Sequence, residues 1–167
     1  MTALFYENSP YLIRKPLADA QVAVWDRLGK PGTWLNGRQR IAVCREIRHA
    51  RDCALCAKQK AALSPYTVRG EHDTLGDLPD IWIEVIHRVV TDPGRLTKGW
   101  YDRTIAAGIP ETEYVEVVSL IAHMTAVDTF TRALDLPQSR LPKPEEGQPS
   151  RYRPAEARVT DAWVPTI

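Results

Sequence analysis

The sequence is poor in cysteine, and it has no long apolar run and no excess of charge of one sign. Its 167 residues include 22 basic and 21 acidic side chains, for a formal net charge of +1. This balance gives no electrostatic case for a nucleic-acid or membrane-surface partner. No apolar run approaches the ~18 residues of a membrane-spanning helix. The opening MTALFYENSP lacks the basic and apolar segments of a secretion signal, so we expect a cytoplasmic protein.

Three cysteines are too few for a disulfide framework. Cys44, Cys53 and Cys56 cannot all pair within one chain. Cytoplasmic thiols are normally kept reduced, which makes a catalytic or metal-binding role more plausible than a structural disulfide. We expect no bound cofactor.

Strict alternation of apolar and polar residues is missing as well, so the sequence predicts helices rather than strands. Prolines and glycines divide the chain into an extended arm over residues 1–16 and a series of helical blocks. The predicted helices cover residues 17–28, 35–50, 53–63, 80–90, 97–107 and 111–136. Asp52 is the predicted N-cap of the 53–63 helix, and residues 65–78 are predicted to form a loop. The fold class is therefore all-α, a helical bundle.

One domain over residues 1–137 accounts for all the helical blocks, and its length suffices for a real core. Residues 138–167 form a Pro-rich tail that we expect to pack on this domain or on a neighbouring subunit, with Trp163 as an anchor. The middle of the last helix, residues 115–127, is apolar nearly all round. Such a helix belongs in the centre of a bundle or at a subunit interface, which favours a homo-oligomer.

The stretch RDCALCAKQK, residues 51–60, carries two cysteines one helical turn apart. At the first turn of a helix, free N–H groups and the helix dipole stabilise a thiolate, so one thiol becomes nucleophilic near neutral pH. The other thiol can then attack the sulfenic acid or mixed disulfide that forms. Basic neighbours add positive potential: Arg51, Lys58 and Lys60. The alternative is a pair of small buried thiols on one helix face.

A zinc site formed by Cys44, His49, Cys53 and Cys56 must also be considered. Structural zinc sites usually consist of two ligand pairs separated by about a dozen residues. On one helix, Cys44 and His49 would lie roughly 140° apart in projection at ~100° per residue, so they do not face a common point. This geometry disfavours zinc, and we predict no metal site in the protein.

Two segments lie in a fixed order along the chain: GRQRIAVCREIRHARDCALC, a helix, a turn and then C-x-x-C, and later GIPETEYVEVVSLIAHMTAVDTFTRALDLP, a long last helix. Together they resemble the alkylhydroperoxidase-D-like, carboxymuconolactone decarboxylase-like superfamily, which has a similar long C-terminal helix. The resemblance covers residues 18–137. It implies an all-helical fold that associates into trimers, hexamers or larger rings.

The resemblance also implies roles for the dithiol. In the family's peroxidases the second cysteine attacks the peroxide and the first resolves it, which assigns attack to Cys56 and resolution to Cys53. The family's proton relay uses a glutamate twelve residues before the first cysteine and a histidine four after the second. These positions hold Ile41 and Lys60 here, so the relay is absent from its usual place.

Other residues are candidates for the missing base. Lys60 follows Cys56 by one helical turn and can lower the thiol pKa, but it is a poor base unless desolvated, and a solvated lysine on a polar face is the more common case. His123, amid apolar residues of the last helix, can supply an imidazole from another element, unless it is a packed core histidine. Glu116 lies seven residues earlier on the same face and can orient that ring; the alternative is an exposed glutamate.

Glu46 and His49 are alternative partners that precede the cysteines. On a continuous helix they would align with Cys53, but the predicted turn at residues 51–52 breaks that alignment. His87, between an isoleucine and an arginine, is interpreted as a surface or interface residue.

These observations favour a thiol-dependent, peroxidase-like oxidoreductase in which Cys56 attacks a hydroperoxide and Cys53 forms the disulfide. Its partners would be the peroxide and an external thiol reductant. A non-catalytic or redox-sensing module of the same fold is the second hypothesis, favoured by the missing relay. A decarboxylase acting on a small lactone acid is the third. Its carboxylate could be bound by the arginines near the dithiol: Arg40, Arg45 and Arg48.

Overall fold

The computed structural model describes Tyr6 and residues 9–167, and this part of the chain folds into helices. They are α1 (Lys15–Leu28), α2 (Gly37–His49), α3 (Ala54–Ala61), α4 (Asp80–Thr91), α5 (Lys98–Ala106) and α6 (Glu111–Ala133). No strand occurs among the described residues, apart from one isolated bridge between Arg158 and Thr166. The predicted all-α class is confirmed. Among the helices described, none is long and apolar enough to cross a membrane.

The predicted extended arm falls partly outside the described residues, which omit 1–5, 7 and 8. Residues 11–14 have no regular structure, and α1 begins at Lys15 rather than at residue 17. Pro16 is the reason, because its fixed φ suits the first turn of a helix and its missing N–H costs nothing there.

The core lies where α2, α4 and α6 pack together. Each of the three helices contacts the other two, and α1 covers α2 and α6 from one side. Side chains from all four helices are fully removed from solvent at this junction: Trp25, Ile47, Ile86 and Met124. At about 1.5–3 kcal/mol for each fully buried large apolar side chain, this junction is the main source of the bundle's stability.

Two partly buried ion pairs fix α2 against α6. The guanidinium of Arg48 donates to both carboxylate oxygens of Asp128, at 3.0 and 2.8 Å. Arg40 pairs with the carboxylate of Glu116, which also accepts the backbone N–H of Trp34 at 2.6 Å. These pairs set the rotation of α2, and therefore the direction in which its other face points.

The chain between α2 and α3 changes direction through a 3-10 turn at Ala50–Asp52. This turn takes up Asp52 as its last residue, so the prediction that Asp52 caps the following helix is wrong. Cys53 occupies the N-cap position with extended backbone. The N–H of Ala54 is satisfied instead by the carboxylate of Asp73, at 2.8 Å, from a distant loop.

The tail runs along its own helical domain. Its backbone donates hydrogen bonds to the α1–α2 connection, from Glu145 to Gly29 at 2.7 Å and from Ser150 to Gly32 at 3.1 Å. Farther on, the ring centroid of Trp163 lies 6.0 Å from that of Tyr101 on α5. These contacts hold the tail on the side of the bundle formed by α5, α6 and the α1–α2 connection.

Candidate functional site

The two thiols lie at the N-terminal end of α3, where the chain leaves the 3-10 turn. Cys53 is the N-cap residue and Cys56 lies in the first turn, so their side chains project from the same end of the helix. Both cysteines are free thiols and each is only 2% exposed. The site is therefore inside the protein rather than on an open face.

His87 of α4 faces Cys56 directly. Its Nδ1 lies 3.3 Å from the Cys56 sulfur, and its Nε2 lies 2.9 Å from a carboxylate oxygen of Glu46 on α2. Because an ionised carboxylate only accepts hydrogen bonds, Nε2 carries the proton and the Nδ1 lone pair points at the thiol. Burial lowers the pKa of His87, and the opposing effect of Glu46 does not outweigh it, so the ring is neutral near pH 7.

The interpretation of His87 as a surface or interface residue is wrong, since its side chain is fully buried. The sequence shows α4 with one apolar face. In the fold, α4 contacts α2 and α6 on that face and also packs against α3 and the 3-10 turn. His87 lies on the side that meets α3, where a polar residue finds polar partners.

A second imidazole, that of His72, reaches the same thiols from the loop between α3 and α4. Its Nδ1 lies 3.6 Å from the Cys53 sulfur and 3.5 Å from the Cys56 sulfur. Its Nε2 lies 2.9 Å from Glu84, whose other oxygen accepts the indole N–H of Trp100 at 2.9 Å. Burial lowers the pKa of His72, but hydrogen bonds to Cys56, Glu84 and Cys53 outweigh it and raise that pKa to about 10.

Two hydrogen bonds between carboxylates and backbone N–H groups hold the loop that carries His72. Asp73 accepts the N–H of Ala54 at the start of α3, as described above. The second carboxylate oxygen of Glu46 accepts the N–H of Leu75 at 3.1 Å. Glu46 thus fixes His87 with one oxygen and the loop with the other. At Gly70, with φ of +157°, an added Cβ would lie 3.0 Å from the side chain of Leu55, so the loop passes close to α3 at a backbone conformation that favours glycine.

The thiols differ in their electrostatic surroundings. Burial raises the pKa of Cys53, but the backbone N–H of Cys56, the side chain of His72 and the backbone N–H of Asp73 together bring that pKa below its ordinary value. Cys44 lies in the apolar core, where burial raises its pKa to about 12. The contrast separates a polar dithiol from an inert core cysteine.

The other predicted site residues lie elsewhere. Lys60 is exposed, and its carbonyl accepts from Arg95 at 3.0 Å. His123 is also exposed, with its Nδ1 3.4 Å from the hydroxyl of Ser119. Glu116 is buried but pairs with Arg40, so it does not orient His123. The predicted base on α6, His123, faces solvent, and Glu116 faces α2. The imidazoles near the thiols come instead from α4 and from the loop before it.

The arginines considered for substrate binding are already paired. Arg40 contacts Glu116, Arg48 contacts Asp128, and Arg45 lies 3.2 Å from Asp77. None of these arginines therefore supports the decarboxylase hypothesis.

Sequence reasoning missed His72 entirely and misplaced His87. His72 lies in a polar loop with no periodic pattern, so the sequence gives no helix face on which to place its side chain. The sequence does contain one signal for this cluster. A C-x-x-C followed by two histidines within about thirty residues supplies four sulfur and nitrogen donors. The four residues considered for zinc in the sequence do not come together, because Cys44 is in the core and His49 is not part of the cluster.

The side chains that meet at the site form one compact set. The two sulfurs and one nitrogen from each imidazole all lie within 4.8 Å of one another, in the cluster Cys53, Cys56, His72 and His87. Such a set can exchange protons between sulfur and nitrogen, and it has the donor atoms of a soft-metal site.

Comparison of the chain with family models, with curated proteins and with solved structures found no match.

Proposed function

We propose that the protein is a thiol-dependent oxidoreductase that reduces small hydroperoxides through the Cys53–Cys56 dithiol. The observation that carries the proposal is the hydrogen-bonded chain from Cys56 through His87 to Glu46, with distances of 3.3 and 2.9 Å. Thiol, neutral imidazole and carboxylate in this order are the groups that activate a nucleophile by proton transfer. The relay missing from its expected sequence positions is thus supplied by other residues.

In the first step, Nδ1 of His87 takes the proton of the Cys56 thiol, and Glu46 stabilises the imidazolium that forms. The Cys56 thiolate attacks one peroxide oxygen, the O–O bond breaks, and the leaving alkoxide or hydroxide takes the proton back from His87. Cys56 becomes a sulfenic acid, and the product is an alcohol or water.

In the second step, Cys53 attacks the sulfur of the sulfenic acid. The S–S bond forms, the hydroxyl leaves as water with the thiol proton, and the dithiol has lost two electrons. Two thiol groups of an external reductant then restore the enzyme by exchange. His72 contacts both sulfurs, so it is placed to donate a hydrogen bond to the departing hydroxyl.

Burial of the thiols restricts the substrate. With each cysteine 2% exposed beneath the His72 loop, a bulky peroxide cannot reach Cys56 without displacing that loop. We therefore infer a small hydroperoxide, such as hydrogen peroxide or a short alkyl hydroperoxide.

The bundle type and the assembly are proposed from the resemblance to the alkylhydroperoxidase-D-like superfamily. The order of helix, 3-10 turn, C-x-x-C and long last helix supports an alkylhydroperoxidase-D-like bundle. A largely apolar groove between α1 and α6 supports a homo-oligomer, trimeric or hexameric; it is lined by Leu17, Ala20, Gln21, Val24, His123, Ala126 and Val127. A monomeric mass in light scattering at micromolar concentration would refute the assembly.

Peroxide consumption by single-cysteine variants tests the function. Cys56→Ser should abolish it, and Cys53→Ser should stop after one equivalent, with a sulfenic acid on Cys56 that a dimedone-type reagent labels. Cys44→Ala is the matched control and should turn over like the wild-type chain. If Cys56→Ser consumes peroxide at the wild-type rate, the proposal is wrong. If the wild-type dithiol oxidises once and no thiol donor restores it, the redox-sensing hypothesis replaces it.

A further inference from the structure

We infer that the reduced protein binds one Zn²⁺ through Cys53, Cys56, His72 and His87. The site is made of four donors from three parts of the chain: two thiols at the start of α3, one imidazole from the following loop and one from α4. Zinc prefers this mixture of sulfur and imidazole nitrogen, and its structural sites are four-coordinate.

The distances between donor atoms match a tetrahedral zinc centre. With Zn–S of ~2.3 Å and Zn–N of ~2.1 Å, a regular tetrahedron separates a sulfur from a nitrogen by about 3.6 Å. Three of the four sulfur–nitrogen pairs in the cluster measure 3.3, 3.5 and 3.6 Å. All four donors lie within 4.8 Å of one another, so small side-chain rotations are enough to place them around a common ion.

The outer partners of the histidines also fit a metal centre. Each imidazole directs Nδ1 inward and donates through Nε2 to a carboxylate at 2.9 Å, His87 to Glu46 and His72 to Glu84. Histidine ligands of zinc commonly have this arrangement, because the outer hydrogen bond fixes the tautomer and increases the basicity of the inner nitrogen. Two independent histidines with the same orientation are more than a single thiol–imidazole relay requires.

Burial favours the same conclusion. Both cysteines are 2% exposed and His87 is fully buried, so a pair of thiolates there needs compensating positive charge. One Zn²⁺ neutralises two thiolates, and four protein ligands leave no open position for substrate. The ion would be a structural centre that ties the His72 loop to α3 and α4.

One consequence rests on the proposed function. Zinc and peroxide compete for the same sulfurs, so the metal-bound dithiol should resist oxidation. When a hydroperoxide does oxidise it, the two thiolates lose two electrons to form the disulfide, and the O–O bond is reduced with two protons to alcohol and water. Two of the four ligands are then lost, and Zn²⁺ is released.

Cobalt substitution and zinc competition test the site on the full, chemically reduced chain. Co²⁺ should bind at one equivalent with the intense visible bands of a tetrahedral sulfur–nitrogen site, and Zn²⁺ should displace it stoichiometrically. His72→Ala should lose these bands or weaken binding by at least tenfold, whereas His123→Ala, an exposed histidine outside the cluster, should match the wild type. Pre-oxidation to the Cys53–Cys56 disulfide should abolish binding.

Weak, pale octahedral cobalt spectra from the folded wild-type chain would overturn the inference, and so would unchanged binding in His72→Ala. If His72→Ala does not fold, the wild-type cobalt spectrum and its loss on oxidation still test whether the reduced dithiol forms part of a tetrahedral metal site. Peroxide turnover is measured separately on chelator-treated protein. Tetrahedral cobalt binding without turnover would refute only the proposed function, and turnover without metal binding would refute only the zinc site.

Discussion

His72 and His87 both direct Nδ1 at the sulfur of Cys56. Each ring is held on its other side by a different carboxylate, that of Glu84 for His72 and that of Glu46 for His87. Their Nδ1 atoms lie 3.5 and 3.3 Å from that sulfur, and their ring centroids are 4.4 Å apart. One ring comes from a buried helix and the other from a loop. Their environments push their pKa values in opposite directions, below the ordinary value for His87 and to about 10 for His72. The two rings are therefore suited to different roles, one as a proton acceptor and the other as a hydrogen-bond donor.

The Glu46 carboxylate should be essential for activation of Cys56. The Glu46 carboxylate accepts the Nε2–H of His87 and the backbone N–H of Leu75. In Glu46→Gln only one side-chain oxygen remains, so one of these N–H groups loses its acceptor and His87 is held less firmly. We expect peroxide consumption to fall on the order of 10- to 100-fold, as for other outer partners of functional histidines. Glu84→Gln, which perturbs His72 instead, is the matched control and should reduce the rate less. Equal losses in the two variants would argue against His87 as the base.

Cys44 should be chemically silent. Its pKa of about 12 leaves a thiolate fraction on the order of 10⁻⁴ at pH 8, and the core also blocks access. Alkylation of the native, metal-free chain followed by mass spectrometry should label Cys53 and Cys56 before Cys44. Unfolding in denaturant should make all three reactive. Early labelling of Cys44 in the native chain would show that the core opens locally.

Gly32→Ala should destabilise the fold. An added Cβ would overlap the carboxylate of Glu116 and the guanidinium of Arg40, and this partly buried ion pair is held further by the backbone N–H groups of Trp34 and Leu35, which donate to Glu116. We expect a loss of about 2 kcal/mol or more in the free energy of unfolding, measured by urea denaturation. Gly94→Ala is the control, because no atom lies within 4 Å of its added Cβ. Equal stability of the two variants would contradict the tight packing at Gly32.

Asp92 should make the stability fall at acid pH. Its hydrogen bonds with Arg95, at 2.8 and 3.0 Å, are the main reason that its pKa lies below the ordinary 3.8. A depressed pKa contributes stability that is fully present above pH 3.8 and is lost as the pH falls through the folded-state pKa. In Asp92→Asn the urea midpoint should therefore drop less between pH 5.5 and pH 3 than in the wild type. An Asp92→Asn midpoint that falls as steeply as that of the wild type would refute this.

Much of the fold could be predicted because helix signals are local. Proline and glycine positions and the spacing of apolar residues placed all six helices to within about three residues at each end. Errors occurred where a long-range contact replaced a local one. Asp52 looked like an N-cap from its neighbours, but Asp73, twenty-one residues away, satisfies that end of α3.

The site was only half predictable for the same reason. Two cysteines one turn apart are visible in the sequence, whereas the partners of the thiols come from a loop and from the side of α4 that packs against α3. The sequence indicates Glu46 as a possible partner, but the turn at Ala50–Asp52 separates it from the cysteines along the helix. In the fold it acts through His87, across the space between α2 and α4.

The sequence by itself determined the all-helical class, the helix positions and the location of the dithiol at the start of a helix. Each of these depends on neighbours within a turn or two, where steric preference and apolar spacing act directly. The tertiary structure alone decided which imidazoles meet the thiols, since the packing of α2, α3 and α4 and the anchoring of one loop bring together groups that are far apart in the chain. His123, on an apolar helix, ended at the surface, and His72, in a polar loop, ended against the sulfurs.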